Sequence, residues 1–391
     1  NRDDAPIFKF RWILNNWKFH SCWNYIKSYK KKYFLKKKIL ISTGGSGGHV
    51  IPALNFYEHL KQDNEVYLTS DIRGLRFIDT KIYKTKKIEV PDIKKDIFKF
   101  PINLFLFSIS VIKSFLYLRQ NKIDKIISTG GYMTFPICIA SIFTKSELFL
   151  FEPNMVLGRS NSFFLKQCKK IFCYSNNIKK FPSKYIAKKK IIYPLLNKKS
   201  YFSKGNFKKN LDQKVLLIIG GSQGAKFFQT ELKNTLNKLS KKFNLFIYHQ
   251  TNKENFQELE AFYRRNKIAF KLFDFERYLD SIFVKTDFCI TRAGASTLAE
   301  LVFFEVPSLA VPFPYSKDNH QFFNAIHYKN NNCCWMIEQK DIHQKNFYEI
   351  ISNMLVDKIN LQLKKKAMRD LSSKNTWEIN NKIIIKAIYE N

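Results

Sequence analysis

The sequence predicts an α/β fold of two successive units, each a parallel β-sheet with helices on both faces. Three observations predict it. Short apolar runs of strand length alternate with helical spacing from Lys38 onward. Ten of the thirteen glycines fall in four clusters, each where such an apolar run ends. The order strand, glycine turn, helix occurs twice, on either side of a polar stretch between Leu196 and Gln213.

In the first unit, Lys38-Ile39-Leu40-Ile41-Ser42 reads as a buried strand running into Gly44-Gly45-Ser46-Gly47-Gly48. Helical spacing is expected from Val50, with Ala53, Leu54 and Tyr57 on one face. Glu65 to Thr69 reads as a second strand, Asp124 to Ser128 as one leading into Gly130-Gly131, and Glu147 to Phe151 as one ending at Glu152-Pro153-Asn154. In the second unit, Lys214 to Ile219 feeds Gly220-Gly221-Ser222-Gln223-Gly224. Asn244 to Tyr248, Asp287 to Thr291 and Pro307 to Pro312 continue the alternation, and Asn375 to Tyr389 is helical in pattern. The expected division is an N-terminal extension of unassigned structure (1–37), a first domain (38–196), a linker (197–213), a second domain (214–374) and a C-terminal helix (375–391) returning to the first domain. Two such units form a cleft between the carboxyl ends of their sheets, where ligands bind in open α/β folds.

Composition narrows the partners less than its extremes imply. The net charge of +35 taken alone points to nucleic acid, anionic lipid or phosphorylated substrates. Lys, Asn, Ile, Phe and Tyr are abundant together along the whole chain, however, so most lysines read as solvated surface. The seven cysteines, at 22, 138, 168, 173, 289, 333 and 334, form no CxxC pair and read as reduced thiols. No segment is expected to reach the roughly 20 apolar residues that span a bilayer. The first 33 residues mix aromatics with Lys and Arg but lack a signal-peptide core, and the chain opens on Asn1 rather than Met.

The glycine clusters carry the chemistry. Glycine turns between a buried strand and a helix aim free N–H groups and the positive helix end at an anion. Gly44 to Gly48 is followed by His49 where a P-loop needs lysine, and the dinucleotide fingerprint is missing as well. A helix start disfavours imidazolium, so His49 is expected neutral and suited to accept a proton. Gly220 to Ala225 offers a seat for a diphosphate, with the Ser222 hydroxyl added to the backbone donors. In Arg292-Ala293-Gly294-Ala295-Ser296-Thr297-Leu298-Ala299-Glu300, the carboxylate of Glu300 can accept from a diol such as a ribose. Lys317 to Ala325 gathers polar groups suited to sugar hydroxyls, and Glu152 with Asn154 can do the same from the opposite side.

Taken in order and at these spacings, the motifs resemble one family: the bacterial transferases that add N-acetylglucosamine from UDP-GlcNAc to undecaprenyl-diphospho-MurNAc-pentapeptide in peptidoglycan synthesis. The resemblance covers roughly residues 38 to 391. It rests on Gly44 to Pro52, Gly130-Gly131-Tyr132, Glu152 with Asn154, Gly220 to Ala225, His249-Gln250, Arg292 to Glu300 and Lys317 to Ala325. It implies a GT-B fold of two facing Rossmann-like domains and an inverting displacement at the anomeric carbon that needs no metal or other cofactor. It places UDP-GlcNAc in the second half, with Ser222, Gln223 and Gly224 at the diphosphate, Ala295, Ser296 and Thr297 beside them, Glu300 at the ribose, the backbone at Phe275 and Glu276 at the uracil, and His320 and Gln321 at the sugar. Ser46 and Asn154 reach the same ligand from the first half. The acceptor diphosphate falls to Gly45, Ser46, Gly47, Gly48, Gly130, Gly131, Tyr132 and Glu152, and His49 is the group nearest the acceptor hydroxyl. The family's His-Glu-Gln-Asn reads Phe151-Glu152-Pro153-Asn154 here, its Pro-x-Arg reads Pro194-Leu195-Leu196, and His320 replaces the first of two glutamines.

A polyprenyl acceptor requires a bilayer, so the resemblance implies a peripheral enzyme on the cytoplasmic face of the inner (plasma) membrane. The stretch Ile97 to Phe107 is the most apolar of the chain. Ile102, Phe105, Leu106 and Ile109 have ordinary core spacing, while Phe98, Leu104, Phe107 and Val111 make an apolar patch that suits an anionic membrane surface, flanked by Lys94, Lys95, Lys99 and Lys113. Two alternatives remain at this point: a related transferase with another lipid acceptor such as diacylglycerol, and a basic nucleic-acid-binding protein. The second rests on charge alone, and nucleic acid is not expected as a partner.

Overall fold

A computed structural model of the protein describes residues 36–91, 100–203, 212–276, 279–342 and 346–390, with the backbone alone for 222–225. The extension up to residue 35 and Phe98 lie outside the described residues. The first sheet comprises β1 (Lys38–Ser42), β2 (Glu65–Ser70), β3 (Thr85–Lys87), β4 (Lys125–Ser128), β5 (Glu147–Glu152), β6 (Lys170–Cys173) and β7 (Lys189–Ile191). All run parallel, in the order β3-β2-β1-β4-β5-β6-β7. The second comprises β8 (Lys214–Ile219), β9 (Leu245–Gln250), β10 (Ala269–Phe273), β11 (Phe288–Thr291), β12 (Ser308–Ala310) and β13 (Trp335–Met336). Its order is β10-β9-β8-β11-β12-β13, again parallel.

The central strands show why these apolar runs become strands. In β1, Ile39 and Ile41 enter one core while Leu40, between them, enters another on the opposite face. In β8, Leu216 and Ile218 face one core, and Leu217 and Ile219 the other. With side chains alternating faces, a strand covered on both sides must be apolar at every position. Each sheet reverses its strand order beside its first strand, between β1 and β4 and between β8 and β11. Those are the crevices where open α/β sheets hold ligands.

The helices that position the site are α1 (Gly47–Leu60), α2 (Phe100–Gln120), α3 (Phe135–Ile142) and α4 (Arg159–Phe164) in the first unit. The second supplies α5 (Gly221–Lys242), α6 (Phe256–Arg265), α7 (Ala295–Phe303), α8 (His320–Asn330), α9 (Phe347–Val356) and α10 (Lys358–Ser372). The last helix, α11 (Trp377–Tyr389), crosses back: Ile384, Ala387 and Ile388 are buried in the first unit's core, and Asn380 Oδ1 accepts from the Tyr193 N–H at 3.0 Å. The polar stretch after Leu196 holds a helical turn, Lys198–Phe202, whose Ser200 hydroxyl donates to Asp280 at 2.9 Å. The six cysteines among the described residues are free and buried.

Two expectations need correction. Helix α1 begins at Gly47 rather than Val50, so Gly47, Gly48 and His49 form its first turn instead of a loop before it. The expected absence of a bilayer-length apolar segment also fails: α2 has 21 residues and is long and apolar enough to cross a membrane by length and composition. Counting uninterrupted apolar residues missed it, because Pro101, Asn103 and its serines break the run without breaking the helix. It faces the protein with Ser110, Ser114 and Leu118, one turn apart. The Ser110 hydroxyl donates to Glu89 O at 2.6 Å and that of Ser114 to Ser110 O at 2.7 Å. Small residues with self-satisfied hydroxyls thus make the inner face. The large apolar side chains therefore turn outward. Ile102, Phe105 and Leu106, with their core-like spacing, are exposed at 61%, 66% and 43%. Of the expected patch, Leu104 is exposed, whereas Phe107 and Val111 are half-buried, Phe107 stacking on Tyr132 with ring centroids 6.0 Å apart.

Candidate active site

The first unit's crevice is framed by two threonines. Thr43 follows β1 and Thr129 follows β4; both are buried, and the Thr129 hydroxyl donates to that of Thr43 at 2.8 Å. From there the chain turns through glycine on each side. Asp71, at the end of β2, holds the first turn: its Oδ1 accepts from Gly45 N–H at 2.6 Å and from Gly74 N–H at 3.0 Å, and its Oδ2 from Arg73 at 2.9 Å. A Cβ on Gly44 would lie 2.6 Å from that carboxylate, so the position admits only glycine. One of the backbone donors expected to face a diphosphate is thereby taken up internally.

His49 sits in the first turn of α1, and its Nδ1 donates to the carbonyl of Thr129 at 2.9 Å. A carbonyl can only accept, so the contact fixes the proton on Nδ1 and leaves the Nε2 lone pair open. Gly131 (φ +84°) lies beside the ring, where an added Cβ would come within 3.4 Å of Nε2. Burial lowers the imidazole's pKa, the Thr129 carbonyl opposes this, and the charges of His320 and Lys317 lower it further. The last two belong to the second unit. The field of the second unit thus reaches the imidazole.

Other contacts join the same two edges. Asp318 accepts from Arg159 and Lys180 of the first unit, both at 2.9 Å. Asn324 of α8, fully buried, accepts from Met155 N–H at 2.9 Å and donates to Asn154 Oδ1 and Ala293 O, both at 3.1 Å. Phe77 meets Phe275 edge to face, with centroids 5.1 Å apart at 69°. Of the expected site residues, Asn154 and Phe275 therefore lie in the contact between the units, and His49, with Gly131 beside it, lies within the field of His320 and Lys317.

Several of these side chains are already engaged. Glu152 is buried and accepts from Asn154 N–H and Nδ2 on one oxygen, and from Gly158 N–H and Asn161 on the other. Burial raises its pKa against those four donors. Glu152, expected to offer its carboxylate to a ligand, accepts with both oxygens from the loop after β5 and from Asn161. Asn154, expected at the sugar, likewise spends its carboxamide on Glu152 and Asn324. Gln321 Oε1 accepts from Ala293 N–H at 3.1 Å and Phe313 N–H at 3.0 Å, tying together the loops after β11 and β12. His320 Nδ1 donates to Lys317 O at 2.8 Å.

In the second unit, Ser222, Gln223 and Gly224 lie in the first turn of α5, and Ala295, Ser296 and Thr297 in the first turn of α7 behind Gly294. Gln250 accepts from Gly221 N–H at 3.0 Å and donates to Asp274 O at 3.1 Å, fixing the segment that leads to Phe275 and Glu276. Its neighbour His249 is buried against the Tyr263 hydroxyl at 2.7 Å, and burial pushes its pKa down to about 3. Glu300 faces a small cavity shared with Ile51, Leu54 and Asn55 of α1, Tyr83, Asn197 and Asp280. Burial, with the charge of Asp280 second, pushes its carboxyl up to about 8. Ser46 caps α1, exposed, and Gly48 is exposed beside it. Among the described residues no group of three or more His, Cys, Asp or Glu could hold a metal ion.

Sequence reasoning missed Asp71, Phe77, Asn161 and the bridging role of Asn324. The signal available for Asp71 was its place at a strand end followed three residues later by Gly74. Arg292 was read only as part of a motif. It is buried with its guanidinium over the rings of Phe227 and Phe228, each 4.9 Å away, and donates to Gln339 at 2.7 Å.

Comparison with known proteins agrees with this geometry. Residues 39–173 match the Glycosyltransferase family 28 N-terminal domain, and residues 215–378 the C-terminal domain of that family. A Pelagibacter ubique protein named UDP-N-acetylglucosamine--N-acetylmuramyl-(pentapeptide) pyrophosphoryl-undecaprenol N-acetylglucosamine transferase is 48% identical over 357 residues, spanning 91% of this chain and 100% of its own length. A Rickettsia canadensis protein of the same name is 31% identical, over 78% of this chain and 87% of its own. The crystal structure of Acinetobacter baumannii MurG superimposes with a TM-score of 0.69 at 21% identity, covering 90% of this chain and all of that one. UDP-GlcNAc 2-epimerase from Neisseria meningitidis, bound to UDP-GlcNAc, superimposes at 0.60 with 13% identity over 90% of this chain and all of its own, so the fold by itself does not fix the reaction. Both halves of one family match in order, and a relative aligns over its whole length. This chain belongs to glycosyltransferase family 28 and has the GT-B fold.

Proposed function

We infer that the protein transfers GlcNAc from UDP-GlcNAc to the 4-hydroxyl of the muramoyl sugar in undecaprenyl-diphospho-MurNAc-pentapeptide, converting lipid I to lipid II in peptidoglycan synthesis. The observation that carries this reading is His49: a histidine with its proton held on Nδ1 by the Thr129 carbonyl and its pKa lowered by burial. Its Nε2 takes the proton of the acceptor hydroxyl as that oxygen attacks the anomeric carbon. The bond from that carbon to the UDP oxygen breaks, the configuration inverts, and UDP leaves. We assign the developing diphosphate charge to the N-terminal turns of α5 and α7, whose N–H groups are fixed before the reaction begins. No metal or cofactor is assigned a step.

In this reading residues 38–196 bind the acceptor and 214–374 the nucleotide sugar, with 197–213 as linker and 375–391 returning to the acceptor side. Gly45 to Gly48, Gly130, Gly131 and Tyr132 border the acceptor diphosphate. Ser222 to Gly224, Phe275, Glu276, Ala295 to Thr297, Glu300, His320 and Gln321 border UDP-GlcNAc. Glu152 and Asn154 act on the site through the loop they hold. The exposed apolar face of α2 supports a peripheral site on an anionic bilayer, the cytoplasmic face of the inner membrane, where the polyprenyl acceptor resides.

The test is transfer of labelled GlcNAc from UDP-GlcNAc to a short-chain analogue of the muramoyl lipid. Product is expected with that acceptor and not with diacylglycerol. Transfer to diacylglycerol from UDP-glucose or UDP-galactose, with none to the muramoyl lipid, would replace the proposal with the other lipid acceptor. Binding to RNA or DNA without any transfer would overturn it.

A further inference from the structure

The loop after β2 touches both sides of the crevice. It leaves β2 at Asp71, makes the helical turn Ile72–Leu75 and reaches Phe77, whose N–H donates to Gly74 O at 3.0 Å. Two of its residues hold the glycine segment that opens the catalytic helix. Asp71 accepts from Gly45 N–H, and the Phe77 ring lies over Gly47, where an added Cβ would stand 3.6 Å from it. Gly47 is two residues from His49. The same ring meets Phe275 edge to face. Phe275 is in turn held from the second unit, because Gln250 binds both Asp274 O and the N–H of Gly221 at the start of α5. A continuous series of contacts thus runs from the start of α5 through Gln250, Phe275 and Phe77 to the turn that carries His49.

We propose that Phe77 is a positioning residue for the transfer: its ring couples the nucleotide-side loop at Phe275 to the first turn of α1, so that the seated donor and the base His49 hold one register across the cleft. The proposal rests on the functional reading above and adds to it a residue that touches neither substrate. A ring in contact with both a glycine backbone and a second aromatic ring is a stiff link. An aliphatic side chain fills the same space against Gly47 but lacks the directional edge contact to Phe275.

The test compares Phe77→Leu, Phe77→Tyr, Phe275→Leu and the Phe77→Leu/Phe275→Leu pair. Each is assayed for GlcNAc transfer to the short-chain acceptor and for UDP affinity by calorimetry. Phe77→Leu is expected to lower kcat roughly three- to tenfold, the rate equivalent of one aromatic pair, with UDP affinity within about twofold. Phe77→Tyr keeps the ring and the wild-type kcat. The double variant is no slower than Phe275→Leu alone, because the coupling is already lost. Additive losses in the pair, a Leu variant at wild-type kcat, a Tyr variant as slow as Leu, or a fall in UDP affinity that matches the fall in rate would each overturn the proposal. Absence of transfer by the wild-type enzyme would instead count against the functional reading, and that control is measured first.

Discussion

At the scale of single residues, two titrating side chains carry consequences that pH can read. His49 works as a base only when neutral, and burial together with the charges of His320 and Lys317 sets its pKa below the ordinary 6.5. Going down in pH, kcat/KM for transfer should hold steady through 6.5 and then fall about tenfold per unit on the acid side. An acid limb beginning above 6.5 would contradict the assigned environment. His49→Asn should lose turnover by roughly 10²- to 10⁴-fold with UDP-GlcNAc binding retained. Glu300 is the opposite case. Its carboxyl is raised from 4.5 to about 8 by burial, so the folded state favours the protonated form. The stability this contributes is complete below 4.5 and is lost as pH rises through about 8. Glu300→Gln cannot ionise and should melt a few degrees above wild type on the alkaline side of 8, and together with it below 4.5, in thermal scans across that range. The places of these two side chains were legible in the sequence, because a histidine directly after a glycine cluster and a glutamate in a helix after Gly294 announce them locally. Asp71 and Asn324 were not, since each acts by closing contacts between distant segments, and no spacing within either segment reports them.

Elements follow the same division. β1, β4, β5, β8, β9 and β11 could be read because a strand covered on both faces is apolar throughout. β3 (Thr85–Lys87) and β7 (Lys189–Ile191) lie at sheet edges with polar side chains, and β13 has two residues, so neither apolar run nor alternation marks them. In α2 the period was visible but its direction was not. Spacing cannot tell an apolar face turned inward from one turned out when the helix docks through serines. The exposed face makes a prediction of its own. Leu104→Glu combined with Phe105→Glu should reduce cosedimentation with phosphatidylglycerol vesicles roughly tenfold or more, because burial of two large side chains in the lipid boundary is lost and negative charge is added. The melting temperature should not change, since both side chains already face solvent. Unaltered vesicle binding would show that another surface makes the contact.

For the whole molecule, the two units are held together by few but specific links. Asn324 is the most committed of them, with three partners on two units and no exposure. Asn324→Ala leaves the Met155 N–H without its acceptor and should cost about 1–3 kcal/mol, read as a lower urea midpoint with the denaturant slope unchanged. The surface pairs Arg159–Asp318 and Lys180–Asp318 should contribute far less, and less still in added salt. The return of α11 to the first core has a consequence in time. A ribosome emits this chain from its amino end, yet the first sheet's hydrophobic interior lacks Ile384, Ala387 and Ile388 until the whole second unit has been made. The earlier-made half must therefore wait, incompletely sealed, while the later half is synthesised, and its greasy gap is what a chaperone would meet on the nascent polypeptide.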